Sequence, residues 1–298
     1  MVSANGIPIT NIRIALTKRC NLACVYCHRE GELPSSGADR EMSVDDIDTL
    51  LSVASDLGIR KVRFTGGEPL VRRDIVDIVG AASRHMDDVS ISTNGVLLAP
   101  IATQLKEAGL NRANITLNTL SAETYRQITG TDAHADALAG IEAAYDAGIM
   151  PIKLNMVLMG CNKHEVRDMV SFLKEGMVLQ LIELISSKEE ECEAFYQENV
   201  VDLTMYEAWL EDSALRIEER QKHRRKKYYI PQEVEVVRSM HNTTFCANCT
   251  SIRVTSDAKI KKCLFDDNPT HSIEDFSDRE AVREALLAAI REKRPYWC

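Results

Sequence analysis

Six short apolar segments recur along the first two-thirds of the chain: NIRIAL (11–16), KVRFT (61–65), DVSIST (88–93), RANITLN (112–118), MPIKLNMVLM (150–159) and VLQLIELI (178–185). Each gives way to a turn or loop and then to residues with helical spacing. The clearest is SVDDIDTLLSVASDLG, with Ser43 as N-cap, Asp45 and Asp46 in the first turn, and Gly58 as the stop. Strands that alternate with helices call for a parallel sheet with the helices outside. Right-handed crossovers curl six such units into an incomplete barrel. The expected fold class is therefore α/β: an incomplete (β/α)6 TIM-type barrel with a C-terminal extension. Its chemistry is expected at the C-terminal ends of the strands, where the loops gather.

From about residue 186 the rhythm changes, so the chain is divided into residues 1–185 and 186–298. SSKEEECEAFYQENVVDL is acidic, helix or loop; MYEAWLEDSALRIEER reads as helix; QKHRRKKYYI and EVEVVRSM end strand-like. SIRVTSDAKIKKCLF reads as a hairpin and DREAVREALLAAIREK as a terminal helix. The basic run 222–227 is read as a solvated face, with a phosphate or a partner as the alternative.

The 298 residues are 45% hydrophobic and 27% charged, an ordinary globular balance, with formal net charge −9 and pI about 5.4. Such acidity argues against non-specific nucleic-acid binding. No apolar run approaches a membrane span, and MVSANGIPIT lacks the form of a signal peptide, so the expected location is the cytoplasm, away from membranes. Nine cysteines there point to metal or redox chemistry rather than a disulfide framework.

Six of the nine fall into two triplets. Cys20, Cys24 and Cys27 follow the first strand as C-x3-C-x2-C; Cys246, Cys249 and Cys263 form C-x2-C-x13-C. Cys161, Cys192 and Cys298 stand alone and are read as buried or incidental thiols. Locally the first triplet leaves three readings open. With His28 it makes a closed zinc knot; as three thiolates it holds three corners of a [4Fe–4S] cluster; Cys24 to His28 matches C-x-x-C-H of c-type haem. The lack of a secretion signal weakens the haem reading.

After the second strand stands FTGGEPLVRRD, residues 64–74. Paired glycines permit positive φ and close backbone approach, and Pro69 ends the strand edge. The segment is not a phosphate-binding P-loop, and the chain has no G-x-G-x-x-G.

Taken together, C-x3-C-x2-C after one strand and GGEP after the next resemble the radical S-adenosylmethionine (SAM) enzymes. NIRIALTKRCNLACVYCHREGE, KVRFTGGEPLVRRDI, STNGVLL and FCANCTSIRVTSDAKIKKCLF, in that order, resemble the GTP 3′,8-cyclase family, which opens molybdenum cofactor biosynthesis. The resemblance implies a lyase with two [4Fe–4S] clusters and SAM. In that family a 5′-deoxyadenosyl radical takes the C3′ hydrogen of GTP, and C3′ then attacks C8 to give 3′,8-cyclo-7,8-dihydro-GTP. It implies Cys20, Cys24 and Cys27 as ligands of the cluster that meets SAM. Cys246, Cys249 and Cys263 are implied as ligands of the cluster that meets substrate. Tyr26, Gly67, Glu68 and Thr116 fall at SAM positions; Thr116 stands where Ser is usual. Arg13, Arg63, Thr93, Lys153 and Arg253 fall at GTP positions, and cations there suit a triphosphate. Without the resemblance, those cations read as ordinary salt-bridged residues. An external one-electron donor is implied, a homodimer is allowed, and no acid–base pair is called for.

Three departures bear on substrate. Ser251 and Gln180 stand where the family usually has Arg, and the chain ends KRPYWC rather than in a Gly-Gly tail. Losing two charge-assisted contacts would weaken phosphate binding appreciably. The alternatives are therefore a diverged two-cluster radical SAM enzyme acting on another nucleotide or nucleoside, and, from other classes, a zinc-binding structural or nucleic-acid-binding protein and a ferredoxin-type electron carrier.

Overall fold

The computed structural model describes residues 1–28, 40–186, 193–220, 222–266 and 269–297. Six parallel strands run β1 (Asn11–Ala15), β2 (Lys61–Thr65), β3 (Asp88–Thr93), β4 (Arg112–Thr116), β5 (Ile152–Val157) and β6 (Met177–Ile182). Between them lie α1 (Val44–Asp56), α2 (Ile75–Ser83), α3 (Ala102–Glu107), α4 (Ala122–Thr129) and α5 (His134–Asp146). α6 (Val166–Phe172) precedes β6. α1 begins as its sequence requires: the Ser43 hydroxyl accepts from Asp46 N and the Asp46 carboxylate accepts from Ser43 N.

The extension does not pack as a separate layer; it lengthens the same sheet at both edges. α7 (Ala194–Asn199) and α8 (Thr204–Ser213) lead to β7 (Arg216–Glu219), β8 (Lys226–Ile230) and β9 (Gln232–Val237), and β9 pairs parallel with β6. α9 (Thr243–Ala247) leads to β10 (Ser251–Val254), which pairs parallel with β1. β11 (Lys259–Lys261), β12 (His271–Ser272) and α10 (Arg279–Glu292) complete the chain. The twelve-stranded order is β12-β11-β10-β1-β2-β3-β4-β5-β6-β9-β8-β7, an open sheet rather than a closed barrel.

The reading of 205–220 as one helix is corrected: α8 stops at Ser213 and Arg216–Glu219 is a strand. Cross-strand charge decides it, because Glu218 and Glu219 face Lys227 and Lys226 of β8. Residues 187–192, much of the acidic stretch, lie outside the described residues, as do Cys192 and Cys298.

Every central strand alternates. Ile12, Ile14, Val62, Phe64, Ile91, Ile115, Leu154 and Leu179 are buried under the helices. The intervening residues turn to the concave face: Arg13, Arg63, Ser92, Thr116, Lys153, Asn155 and Gln180. A parallel sheet covered on both faces by helices reads as a near-continuous apolar run. Here only one face is covered that way; the other lines a polar cavity.

Candidate active site

The segment carrying the first triplet is tied down by three neighbouring loops. Gly67 N donates to Thr17 O at 2.7 Å and Glu68 N to Arg19 O at 2.8 Å, which lays GGEP against the residues just before Cys20. Asn94, from STNG, donates its side chain to Asn21 Oδ1 at 2.8 Å. Ala23 N and Val25 N donate to Thr129 O and Ile128 O at the end of α4. The paired glycines are explained by this packing. A Cβ on Gly66 would lie 2.4 Å from Thr17 O, and one on Gly67 2.2 Å from Arg19 O. The close backbone approach expected of them is therefore made to the chain itself.

Glu68 is 1% exposed and acts as an acceptor for two loops at once. Its carboxylate takes Leu70 N at 3.0 Å, Thr93 Oγ1 at 2.7 Å and Asn94 N at 2.7 Å. Burial pushes this carboxyl up to about 7, against the lowering effect of those three donors. Glu68→Ala would strand all three and cost about 3 kcal/mol or more, since each buried unsatisfied donor costs about 1–3 kcal/mol. Thermal or denaturant unfolding measures that loss.

The concave face encloses a cavity of about 350 Å³. Arg253, Arg13 and Arg63 line it as direct register partners on β10, β1 and β2. Like charges side by side on neighbouring strands repel one another, so the row favours an anion between them. Across the cavity, Lys153 Nζ lies 2.6 Å from the buried Glu235 carboxylate. Burial pushes the Lys153 ammonium down to about 8, and Glu235 offsets only part of that. Burial alone would raise the Glu235 carboxyl; Arg225, Lys153 and Arg220 outweigh it and hold the group ionised.

The two triplets sit at opposite ends of this cavity. Cys20–Cys27 follow β1 at its C-terminal end. Cys246 and Cys249 precede β10, which is parallel to β1, and Cys263 follows the antiparallel β11, so all three lie at the N-terminal end of the strands. The first cysteine loop, GGEP and STNG meet at the C-terminal ends of the strands as expected, and the second triplet is the part that lies at the other end. Cys246, Cys249 and Cys263 line the cavity directly; at the other end its wall is Tyr26 and His28. Tyr26 is fixed by Asn118, whose amide donates to its hydroxyl at 2.7 Å while accepting from Val157 N at 2.9 Å.

Burial raises the Cys24 thiol to about 11, and Cys27 and Cys20 push it in the same direction. Burial likewise raises Cys246, with Cys263 and Cys249 adding to it. The thiols of each triplet are thus close enough to act on one another. Yet among the described residues no three His, Cys, Asp or Glu side chains gather tightly enough for one metal ion. Three thiols in each triplet are the donor set of a [4Fe–4S] cluster with one iron left open. His28 lines the cavity.

Of the residues singled out from sequence, Tyr26, Thr116, Arg13, Arg63, Lys153 and Arg253 line the cavity, as do Gln180 and Ser251. Thr93 does not; it is 4% exposed and donates to Glu68. Cys161 is exposed rather than buried. The reading of 222–227 as a solvated face fails at Arg225, which lies 3.0 Å from Glu235. Arg220, Glu235 and Asn155 were missed altogether, and Arg225 was covered only by the alternative reading of that run. The signal that could have found Glu235 is a carboxylate between two valines of an apolar strand.

A model of the radical SAM superfamily matches residues 14–173, and a model described as Molybdenum Cofactor Synthesis C matches residues 177–297. The probable GTP 3′,8-cyclase of Thermococcus kodakarensis is 45% identical over 303 residues, covering 98% of each chain. The chain belongs to the GTP 3′,8-cyclase family. The corresponding protein of Methanothermobacter marburgensis is 48% identical over 299 residues, covering 97% of this chain and 96% of its own. The crystal structure of Streptococcus suis SuiB bound to S-adenosylmethionine superposes with TM-score 0.67 at 16% identity, over 86% of this chain and 60% of that one. That likeness concerns the fold alone, and is the partial-barrel fold expected of GTP 3′,8-cyclases. No helix among the described residues is long and apolar enough to cross a membrane.

Proposed function

We propose that this chain cyclises GTP to 3′,8-cyclo-7,8-dihydro-GTP, the first step of molybdenum cofactor biosynthesis, using SAM and two [4Fe–4S] clusters. The observation that carries the reading is the row Arg253–Arg13–Arg63 set in register between two cysteine triplets at opposite ends of one cavity. Near-complete coverage by relatives named as probable GTP 3′,8-cyclases supports GTP over another nucleotide.

Cys20, Cys24 and Cys27 would hold the cluster that meets SAM, and Cys246, Cys249 and Cys263 the cluster that meets the purine. When bound, the first cluster with SAM supplies one-electron cleavage and a hydrogen-atom acceptor, and the second supplies an open iron. The chain's own part is placement. Tyr26 and Thr116 line the SAM end, Gly67 and Glu68 hold the cysteine segment there, and Thr93 acts through Glu68. Arg13, Arg63, Lys153 and Arg253 bind the phosphate chain through charge-assisted hydrogen bonds. Residues 1–185 and 186–298 would then serve as the SAM unit and the substrate-cluster unit of one continuous sheet. A cytoplasmic location, an external one-electron donor and a homodimer complete the proposal.

The test is anaerobic incubation of reconstituted protein with SAM, a one-electron reductant and GTP. The expected products are 5′-deoxyadenosine and cyclised GTP in matching amounts. SAM cleavage on another nucleotide with no cyclised GTP would sink the proposal. GTP affinity should fall as pH rises through about 8, where Lys153 loses its proton and with it a cation. Ser251→Arg, which adds a cation to the cavity wall, should tighten GTP binding.

A further inference from the structure

We infer that Arg220 and Arg225, held on Glu235, form a second wall of the polyphosphate subsite; this rests on the reading of the cavity as a nucleotide site. Neither arginine stands on a central strand of the sheet. Both reach the cavity from the connection between β7 and β8.

The Glu235 carboxylate is wholly buried. It accepts from Lys153 Nζ at 2.6 Å, from Arg220 Nη1 at 3.1 and 3.0 Å, and from Gln180 Nε2 at 3.2 Å; Arg225 Nη2 lies 3.0 Å away. Three cations share this one anion, which leaves two positive charges uncompensated in the group. The nearby acids are engaged elsewhere: Glu233 pairs with Lys227 at 2.8 Å and Asp88 with Arg112, while the Glu183 carboxylate, also on the cavity wall, takes Ser239 N and Met240 N at 3.0 Å.

A guanidinium offers five N–H donors, and Glu235 occupies few of them. Arg225 Nε is buried with no hydrogen-bond partner among the described residues. A buried, unpartnered donor on a cation is costly unless an anion meets it. Phosphate oxygens suit this geometry, because the guanidinium fork binds them in bidentate fashion. The opposite wall is the row Arg253–Arg13–Arg63, so a polyphosphate chain placed between the two walls is met by cations on both sides.

The connection itself is held in a demanding conformation. Arg220 N donates to Arg225 O at 2.7 Å, closing the turn. His223 and Arg224 sit at φ 61° and 53°, in the left-handed region that residues with a Cβ rarely enter. The reversal sends Arg224 out to Glu219 at 2.8 Å and Arg225 in to Glu235. His223 stacks on Phe245 with ring centroids 3.8 Å apart, and Phe245 immediately precedes Cys246. The two arginines are thereby fixed relative to the second triplet. Glu235 is a positioning residue: it touches no phosphate and aims the three cations that do.

The experiment measures binding of GTP, inorganic tripolyphosphate, guanosine and SAM to the cluster-loaded protein and to Arg220→Gln and Arg225→Gln. Each variant is expected to bind GTP and tripolyphosphate at least about tenfold more weakly, the loss of one charge-assisted contact. Guanosine and SAM should bind each variant as they bind the parent. Unchanged affinity for both anions overturns the inference, and so does an equal loss for guanosine. If the parent binds tripolyphosphate but not GTP, and the variants lose it, the arginine assignment stands and the cyclase reading falls. If the parent binds neither, both fall. Should Arg225→Gln lose SAM binding through misfolding, Arg220→Gln carries the test, since a quarter of that side chain already meets solvent.

Discussion

Gly67→Ala will strip the chain of its N-terminal cluster and leave the second one in place. The added Cβ would lie 2.2 Å from Arg19 O, 2.6 Å from Arg19 C and 2.8 Å from Lys18 O. All three are backbone atoms, so no side-chain rotation relieves the clash. Ordinary contact needs about 3.5 Å, and residues 18–19 must retreat by roughly 1 Å. Cys20 is the next residue, and its thiol moves with them. Cys246, Cys249 and Cys263 lie at the other end of the cavity and feel nothing. Iron analysis after anaerobic reconstitution should fall from about eight to about four atoms per chain, and SAM cleavage should vanish. Gly80→Ala is the control. Gly80 is in α2 with nothing within 4 Å of the added carbon. It should keep all its iron and gain roughly 0.5–1 kcal/mol of stability, because alanine suits a helix better than glycine. A Gly67→Ala protein with full iron content would overturn this account of GGEP.

Glu235→Ala should be the most destabilising single change in the cavity, at about 3–5 kcal/mol, the cost of leaving buried charge unpaired. It removes the common partner of Lys153, Arg220 and Arg225 and leaves three cations facing one another. Denaturant unfolding of the cluster-loaded protein measures the loss. Glu235→Gln keeps the shape and one acceptor and should cost less. Tripolyphosphate should restore part of the stability of either variant, since an anion that binds the folded state supplies the missing negative charge. A variant as stable as the parent, with no response to the anion, would show that the three cations are not held as argued.

Much of the site was legible before any tertiary information. The cysteine spacings, the GGEP turn, and Arg13, Arg63 and Lys153 on the strands are local features; the structure lays GGEP against the first cysteine segment and brings the three cations and the second triplet to one cavity. The Thr93 hydroxyl is taken up by Glu68, a contact that a sequence does not reveal. The basic run misled for a different reason. Arg224, Arg225, Lys226 and Lys227 look equivalent in a string, yet two left-handed residues turn Arg225 toward Glu235 while the other three pair with Glu219, Glu211 and Glu233.

The sequence by itself determined the elements and the groups of ligands. Strand alternation has a period of two, helix caps act within one turn, and three cysteines on a short loop cannot separate far. Only the tertiary structure decided that the second triplet faces the first across a cavity. That follows from β10 joining β1 and β9 joining β6, pairings between residues some 240 and 55 positions apart. Such pairings are chosen by which apolar faces can be buried together, and no local signal encodes them. The same pairings set Arg253, Arg13 and Arg63 in one row and bring Glu235 under Lys153, which turns scattered cations into an anion site.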